Sequence, residues 1–284
     1  MFASVQELCA AASSLPLWEV VERSDAEDRG VSREHVRAQM EKLWQAMKDA
    51  QAHYDPALRS ASGLVGGCGG ALEERSGGLA DPFLRRVIAA AVKAGECNAC
   101  MRRIVAAPTA GSSGVLPAVL LPLQERDGLS EEEMVRALFV AGGFGQVIAA
   151  RASISGAEGG CQAEIGSASG MAAAALVSLM GGTPEEMAHA CAMALSNTLG
   201  LVCDPVAGLV EVPCINRNVM GAVNAISCAE MALCGLTSSI PCDEVIDAMR
   251  AVGESLPASL RETGAGGLAA TPTARVISRR IRGE

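Results

Sequence analysis

Three cysteines in this 284-residue sequence stand where a sulfur could do chemistry: Cys161 in Glu158-Gly-Gly-Cys161, Cys203 in Leu201-Val-Cys203-Asp204-Pro205, and Cys214 in Val212-Pro213-Cys214. Each lies at a glycine or proline break, or at the edge of an expected helix. The thiolate is the metal-binding form of cysteine, and a helix start or a cationic neighbour favours it. Three thiolates converging from separate loops, with no fourth, would leave one corner of a metal centre open to substrate. Gly159-Gly160 lets the backbone approach a bulky group, and Pro213 fixes the chain just before a helix. On spacing alone, a shared metal site and three unrelated loop cysteines are equally good readings. The closely spaced run of an electron-carrying ferredoxin is absent.

The other cysteines ask for less. Cys9, Cys191, Cys228 and Cys234 fall in apolar helical text, where free cysteine packs as a small hydrophobe. Cys68 lies in a glycine-rich loop, and Cys242 precedes a helix. Cys97-Asn-Ala-Cys100 has neither the second pair nor the spaced histidines of a structural zinc site, and no βαβ context for a redox pair, so it reads as packing. The three histidines, His35, His53 and His189, are isolated. The first residues lack the cationic and apolar regions of a secretory signal, so a cytoplasmic location with reduced thiols is expected.

Half the residues are hydrophobic but only 2% are aromatic, so the core must be built from Ala, Val, Leu, Ile and Met. Small side chains favour closely packed helices. The net charge of −9, without a long basic block and with few rings to stack on bases, argues against a nucleic-acid or anionic-membrane partner. The apolar run from Gly170 to Met180 is shorter than the roughly 20 residues that span a bilayer.

The elements that must position the cysteines read as helices. Ser32 opens a segment with Val36, Met40, Leu43 and Met47 at helical spacing, closed by Pro56. Asp81-Pro82 starts a helix expected to reach about residue 106. Ser130 with Glu133, and Thr183 with Glu186, form capping boxes. Helices are expected over about 130–150, 161–181, 183–200, 214–235 and 242–254, and the last residues, 275–284, as a frayed tail. No segment alternates like a strand. The expected fold is a single all-α domain spanning 1–284, with peripheral N-terminal helices over about 1–80. Gly- and Ser-rich turns at 108–114, 155–160, 204–208 and 263–267 sit on this frame, the usual location for chemistry.

Ile104-Val-Ala-Ala-Pro-Thr-Ala-Gly-Ser112, Glu158-Gly-Gly-Cys-Gln-Ala-Glu-Ile-Gly-Ser-Ala-Ser169, the string from Leu201 to Cys214, and Glu262-Thr263 through Thr273 resemble the α subunit of bacterial iron–sulfur-dependent L-serine dehydratase. The resemblance runs from about residue 90 to 275. It implies a [4Fe–4S] cluster held by Cys161, Cys203 and Cys214, with no pyridoxal phosphate. It implies deamination of L-serine to pyruvate and ammonia, with the iron that lacks a cysteine acting as Lewis acid. Thr109, Gly111, Ser112 and Ser113 are then candidates to hold the substrate carboxylate through hydroxyls and backbone N–H groups, and Arg217 to pair with it bidentately. A plain tight turn, and a pairing of Arg217 with a surface acid, are the competing readings.

The catalytic base has no candidate among the histidines. Family members carry a second, β region, separate or fused, whose Ser- and His-bearing motif contributes to the site. That motif is not found in this sequence, so a β subunit is the expected partner, with assembly into a higher oligomer. Some fused relatives end in a cysteine that can cap the open iron, and this sequence ends Arg279-Arg280-Ile-Arg-Gly-Glu284. Two alternatives stay open: a related cluster enzyme acting on L-cysteine, and an inactive helical paralogue with no cluster.

Overall fold

Side-chain caps start the helices where the sequence puts them. Both capping boxes form, with Ser130 accepting from the Glu133 N–H and Thr183 from the Glu186 N–H. Asp81 accepts from the Leu84 N–H, and Pro82 takes the first helical position. In the computed structural model, which describes residues 1–284, thirteen α-helices follow in order. They are α1 (Val5–Ala11), α2 (Leu17–Arg29), α3 (Arg33–Ala52), α4 (Cys68–Glu74), α5 (Pro82–Ala99), α6 (Val115–Asp127), α7 (Glu131–Arg151), the single turn α8 (Gly156–Gly159), α9 (Ser167–Leu179), α10 (Pro184–Ser196), α11 (Cys214–Leu233), α12 (Cys242–Ser255) and α13 (Pro272–Arg282). There is no sheet, and the one strand-like pairing is a bridge between Cys203 and Arg261. The expected all-α class holds.

The low aromatic content determines how the helices meet. α9 lies at the centre, packed by α6, α7, α10 and α11, and its Ala172 to Ala175 are fully buried. Gly170 faces Cys191 of α10 so closely that an added Cβ would stand 2.9 Å from the sulfur. Backbones approach because the side chains between them are small. α2 and α3 pack on α7, and Leu8, Val21 and Trp44 belong to the same continuous core as α9. α7 is long and apolar enough to cross a membrane, yet most of its apolar stretch is buried inside the protein.

Several boundaries differ from expectation. α5 stops at Ala99 rather than near residue 106. Met101 adopts φ 58°, and the N–H groups of Met101 and Arg102 donate to the carbonyls of Asn98 and Cys97, a left-handed closure made without glycine. The expected 161–181 helix is broken into a π turn, Gln162–Gly166, running into α9. α10 ends at Ser196, short of residue 200. The tail is not frayed: Thr271 caps α13 through the Ala274 N–H. Cys191 and Cys228 are buried, but Cys234 is exposed, because it caps the end of α11. α1, α2 and α4 fall within the N-terminal stretch expected to be helical, although the sequence set no individual bounds for them; α6 lies outside the expected helices and tolerates Pro122 inside it.

Candidate active site

The three loop cysteines come to one place by three different routes. Cys161 follows Gly160, whose φ of 74° turns the chain. An added Cβ there would lie 2.9 Å from the Leu201 carbonyl. The Gln162 N–H donates to that same carbonyl at 2.9 Å. The buried Gln162 side chain then donates to the Met249 carbonyl and accepts from the Gly200 N–H, tying Cys161 to α12 and to the 200–203 loop. Cys203 is held from both sides, its N–H donating to the Leu260 carbonyl and its carbonyl accepting from the Glu262 N–H. Cys214 is the first residue of α11, directly after Pro213.

All three thiols are buried and unbridged. Cys203 and Cys214 line a cleft of about 320 Å³, with Thr109, Gly111, Glu164 and Glu262 on its other walls, and Cys161 lies behind them. Burial pushes the Cys161 thiol up to about 12. Arg217 opposes the shift, and Glu164 and Cys214 add to it. Burial likewise raises Cys214 to about 11, with Glu164 adding and Arg217 opposing. Cys203 is raised by burial and then by Cys161, Glu164, Glu262 and Cys214. Cys203 feels both other thiols, Cys161 feels Cys214, and Glu164 acts on all three, which is the electrical mark of convergence. Desolvation outweighs the helix-start effect expected to favour thiolates. A bound cation would reverse that balance.

The residues fit an iron–sulfur group. No three His, Cys, Asp or Glu side chains stand close enough to grip a single metal ion. A cluster instead spreads its cysteine ligands around its own bulk. Gly156 supplies room: a Cβ there would lie 3.1 Å from the Cys203 sulfur and 2.7 Å from Glu164 Oε2. Three buried, unbridged thiols beside a cradle kept open by glycine are a donor set suited to such a group.

The substrate loop is divided. Thr109 and Gly111 are on the cleft wall, and Thr109 Oγ1 donates to Glu164 Oε1 at 2.6 Å. Ser112 and Ser113 are buried behind the wall. The Ser112 hydroxyl is taken up inside the turn, bonding to Thr109, while the Ser113 hydroxyl has no partner. Arg217 is also off the wall. It pairs with Asp204 at 2.8 Å, donates to the Val202 carbonyl at 2.7 Å and stands beside Cys161. Asp204 in turn accepts from the Leu268 N–H at 2.7 Å.

Glu164, Glu262, Asp204 and Asn218 are absent from the residues singled out by sequence. Glu164 could have been found: it lies three residues after Cys161, and a turn of helix brings that position to the same side. Burial raises its carboxyl above the usual range, the Thr109 hydroxyl works against this, and Glu262 adds to it. Glu262 holds φ 62°, a left-handed conformation uncommon for a residue with a side chain, at the cleft mouth. No histidine lines the cleft; His189 is on α10.

The family described as "Serine dehydratase alpha chain" matches residues 12–269, nearly the whole chain and all of the cleft. The chain belongs to the serine dehydratase alpha-chain family. A probable L-serine dehydratase alpha chain of Bacillus subtilis is 50% identical over 100% of this chain and 96% of its own length. The L-serine dehydratase alpha chain of Peptoniphilus asaccharolyticus is 51% identical over 69% of this chain and 68% of its own. L-serine dehydratase 1 of Escherichia coli is 44% identical over 63% of this chain, a match covering 40% of that protein. Within this serine dehydratase alpha-chain frame, the three cysteine segments and the Thr109 turn all lie inside the matched residues.

Proposed function

We propose that the chain is the α subunit of an iron–sulfur L-serine ammonia-lyase, converting L-serine to pyruvate and ammonia. The observation that carries the reading is the convergence of Cys161, Cys203 and Cys214 beside one cleft in a member of this family. These three would hold a [4Fe–4S] cluster, and pyridoxal phosphate has no part. When bound, the cluster supplies a Lewis acid that makes the serine hydroxyl a better leaving group.

This chain's own residues do the rest of the binding. The backbone around Gly111 receives the substrate carboxylate, with Thr109, whose hydroxyl is donated to Glu164, and Ser112 and Ser113 supporting the turn. The Glu164 and Glu262 carboxylates give the wall the negative charge that suits an ammonium group. Arg217, steered by Asp204, serves the thiolate side by stabilising the charge on Cys161. Loss of the Cα proton and the β-hydroxyl yields aminoacrylate, which tautomerises and hydrolyses to the products.

The base belongs to a β subunit. In support, no histidine lines the cleft, the relatives carry the name alpha chain, and the match leaves more than half of the Escherichia coli protein uncovered. We assign the assembly to the cytoplasm as a higher oligomer; eleven free cysteines suit a reducing compartment.

Anaerobic reconstitution followed by iron and sulfide assays tests the reading. About four irons per chain are expected, lost on Cys203→Ser. A chain that stays metal-free would return it to an inert helical paralogue. Turnover of L-serine against L-cysteine by the chain with its β partner separates the lyase from a desulfidase.

A further inference from the structure

We infer that Asn218 is a positioning residue that holds the Thr109–Gly114 turn in register with Cys214. The inference rests on the proposed roles of that turn in binding carboxylate and of Cys214 in holding the cluster. Asn218 is on α11 one turn beyond Cys214 and is 2% exposed. Its Nδ2 donates to the Cys214 carbonyl at 2.9 Å and to the Gly111 carbonyl at 2.7 Å. Its Oδ1 accepts from the Gly114 N–H at 2.8 Å. One amide thus bonds to both ends of the Gly111–Gly114 segment and to the backbone of the cysteine facing it across the cleft.

The chemistry is specific to an amide. Both N–H groups meet carbonyls and the oxygen meets an N–H, so only a side chain with two donors and one acceptor satisfies all three partners. Gly114 has shed its side chain to make the approach: a Cβ would lie 2.9 Å from Asn218 Oδ1 and 3.0 Å from the Ala91 carbonyl. Apart from Asn218, the turn is tied to the rest of the protein by Asn98, donating to the Ala110 carbonyl, and by Thr109 on Glu164. The Thr109 link reaches the cysteine side only through Glu164, whose other oxygen stands 4.0 Å from the Cys203 sulfur. Asn218 is the one side chain that bonds directly to both the turn and the backbone of Cys214, so it governs how far the carboxylate-binding backbone stands from that cluster ligand.

The test uses the full chain in two variants. Asn218→Asp keeps the shape but turns two donors into acceptors facing carbonyls; Asn218→Ser removes the bridge without adding charge. Hydrogen exchange on the metal-free chain should quicken about tenfold or more across residues 109–114, the worth of one lost net hydrogen bond, while α3 and α7 stay as they were. With the β partner present, the KM for L-serine should rise several-fold with kcat changing less, because the turn binds substrate and transition state alike. Unchanged exchange in the turn, equal loosening of α3 and α7 in both variants, or a loosened turn with an unchanged KM would each overturn the inference. If only the Asp variant unfolds, the Ser variant decides. A wild-type chain that takes up no iron defeats the proposed function instead, and the exchange result still judges the clamp.

Discussion

Arg217 Nη2 and Asp204 Oδ1 lie 2.8 Å apart, an ion pair buried between the loop carrying Cys203 and the helix begun by Cys214. Each charge has a further partner, the Val202 carbonyl for Arg217 and the Leu268 N–H for Asp204. Arg217→Met should therefore cost roughly 3 kcal/mol in urea denaturation of the metal-free chain, by leaving Asp204 buried without its cation. Arg217→Lys keeps the charge but not the fork, and should cost less. A Met variant as stable as wild type would mean that the Leu268 N–H alone satisfies Asp204.

Gly156→Ala isolates the room beside Cys203. Its backbone is helical, so alanine suits the turn, but the new Cβ would press on Glu164 Oε2 and the Cys203 sulfur. The variant should fold, with overpacking costing about 1–3 kcal/mol, yet take up far less iron than wild type on anaerobic reconstitution. Normal iron content would show that the space is not needed.

The acid side of the stability curve should answer to Glu22. Burial alone would lift this carboxyl, but hydrogen bonds from Arg37 and Arg33 overcome it and hold it below the ordinary range. A depressed carboxyl binds fewer protons folded than unfolded, so its contribution is complete above the unfolded value of about 4.3 and is lost as pH falls through the lower folded value. Glu22→Gln should flatten that fall in a pH series of denaturation midpoints. An unchanged acid slope would remove Glu22 from the account.

Thiol reactivity should follow burial. With the metal absent, iodoacetamide near neutral pH should label the exposed Cys68 and Cys234 well before Cys161, whose thiol is pushed up to about 12. Peptide mass mapping over time reads the order directly. Early labelling of Cys161 would mean that the site opens readily to solvent.

Leu8→Ala probes whether the first helices belong to the main core. Leu8 is fully buried and meets Gly143 of α7, where an added Cβ would lie 3.4 Å from its Cδ2. A loss of about 2–5 kcal/mol in one cooperative transition is expected. A separate early transition would make the N-terminal helices an independent unit.

The sequence exposed most of what local chemistry encodes. Capping boxes at Ser130 and Thr183, and proline after Asp81, are signals a few residues long, and the helices start there. The end of α5 was hidden because Met101 takes a left-handed conformation that its side chain does not announce. The π turn after Cys161 was hidden because Gln162–Gly166 reads as ordinary helical text. In the site, the cysteines stood out by their breaks, while Asp204, Asn218 and Glu164 did not. Each has at least one partner 39 to 107 residues away in the chain, which no local pattern carries. Arg217 looked free to meet a substrate because its ion pair with Asp204 bridges a loop and a helix rather than one turn of either.

The wide turn over Gln162–Gly166 makes segment length matter as much as composition. Deleting a single residue there could restore regular α-helical winding only by swinging Cys161 about 100° around the axis of α9. Such a shortened chain could keep every cysteine, every cap and its whole core, and still aim one sulfur at solid protein.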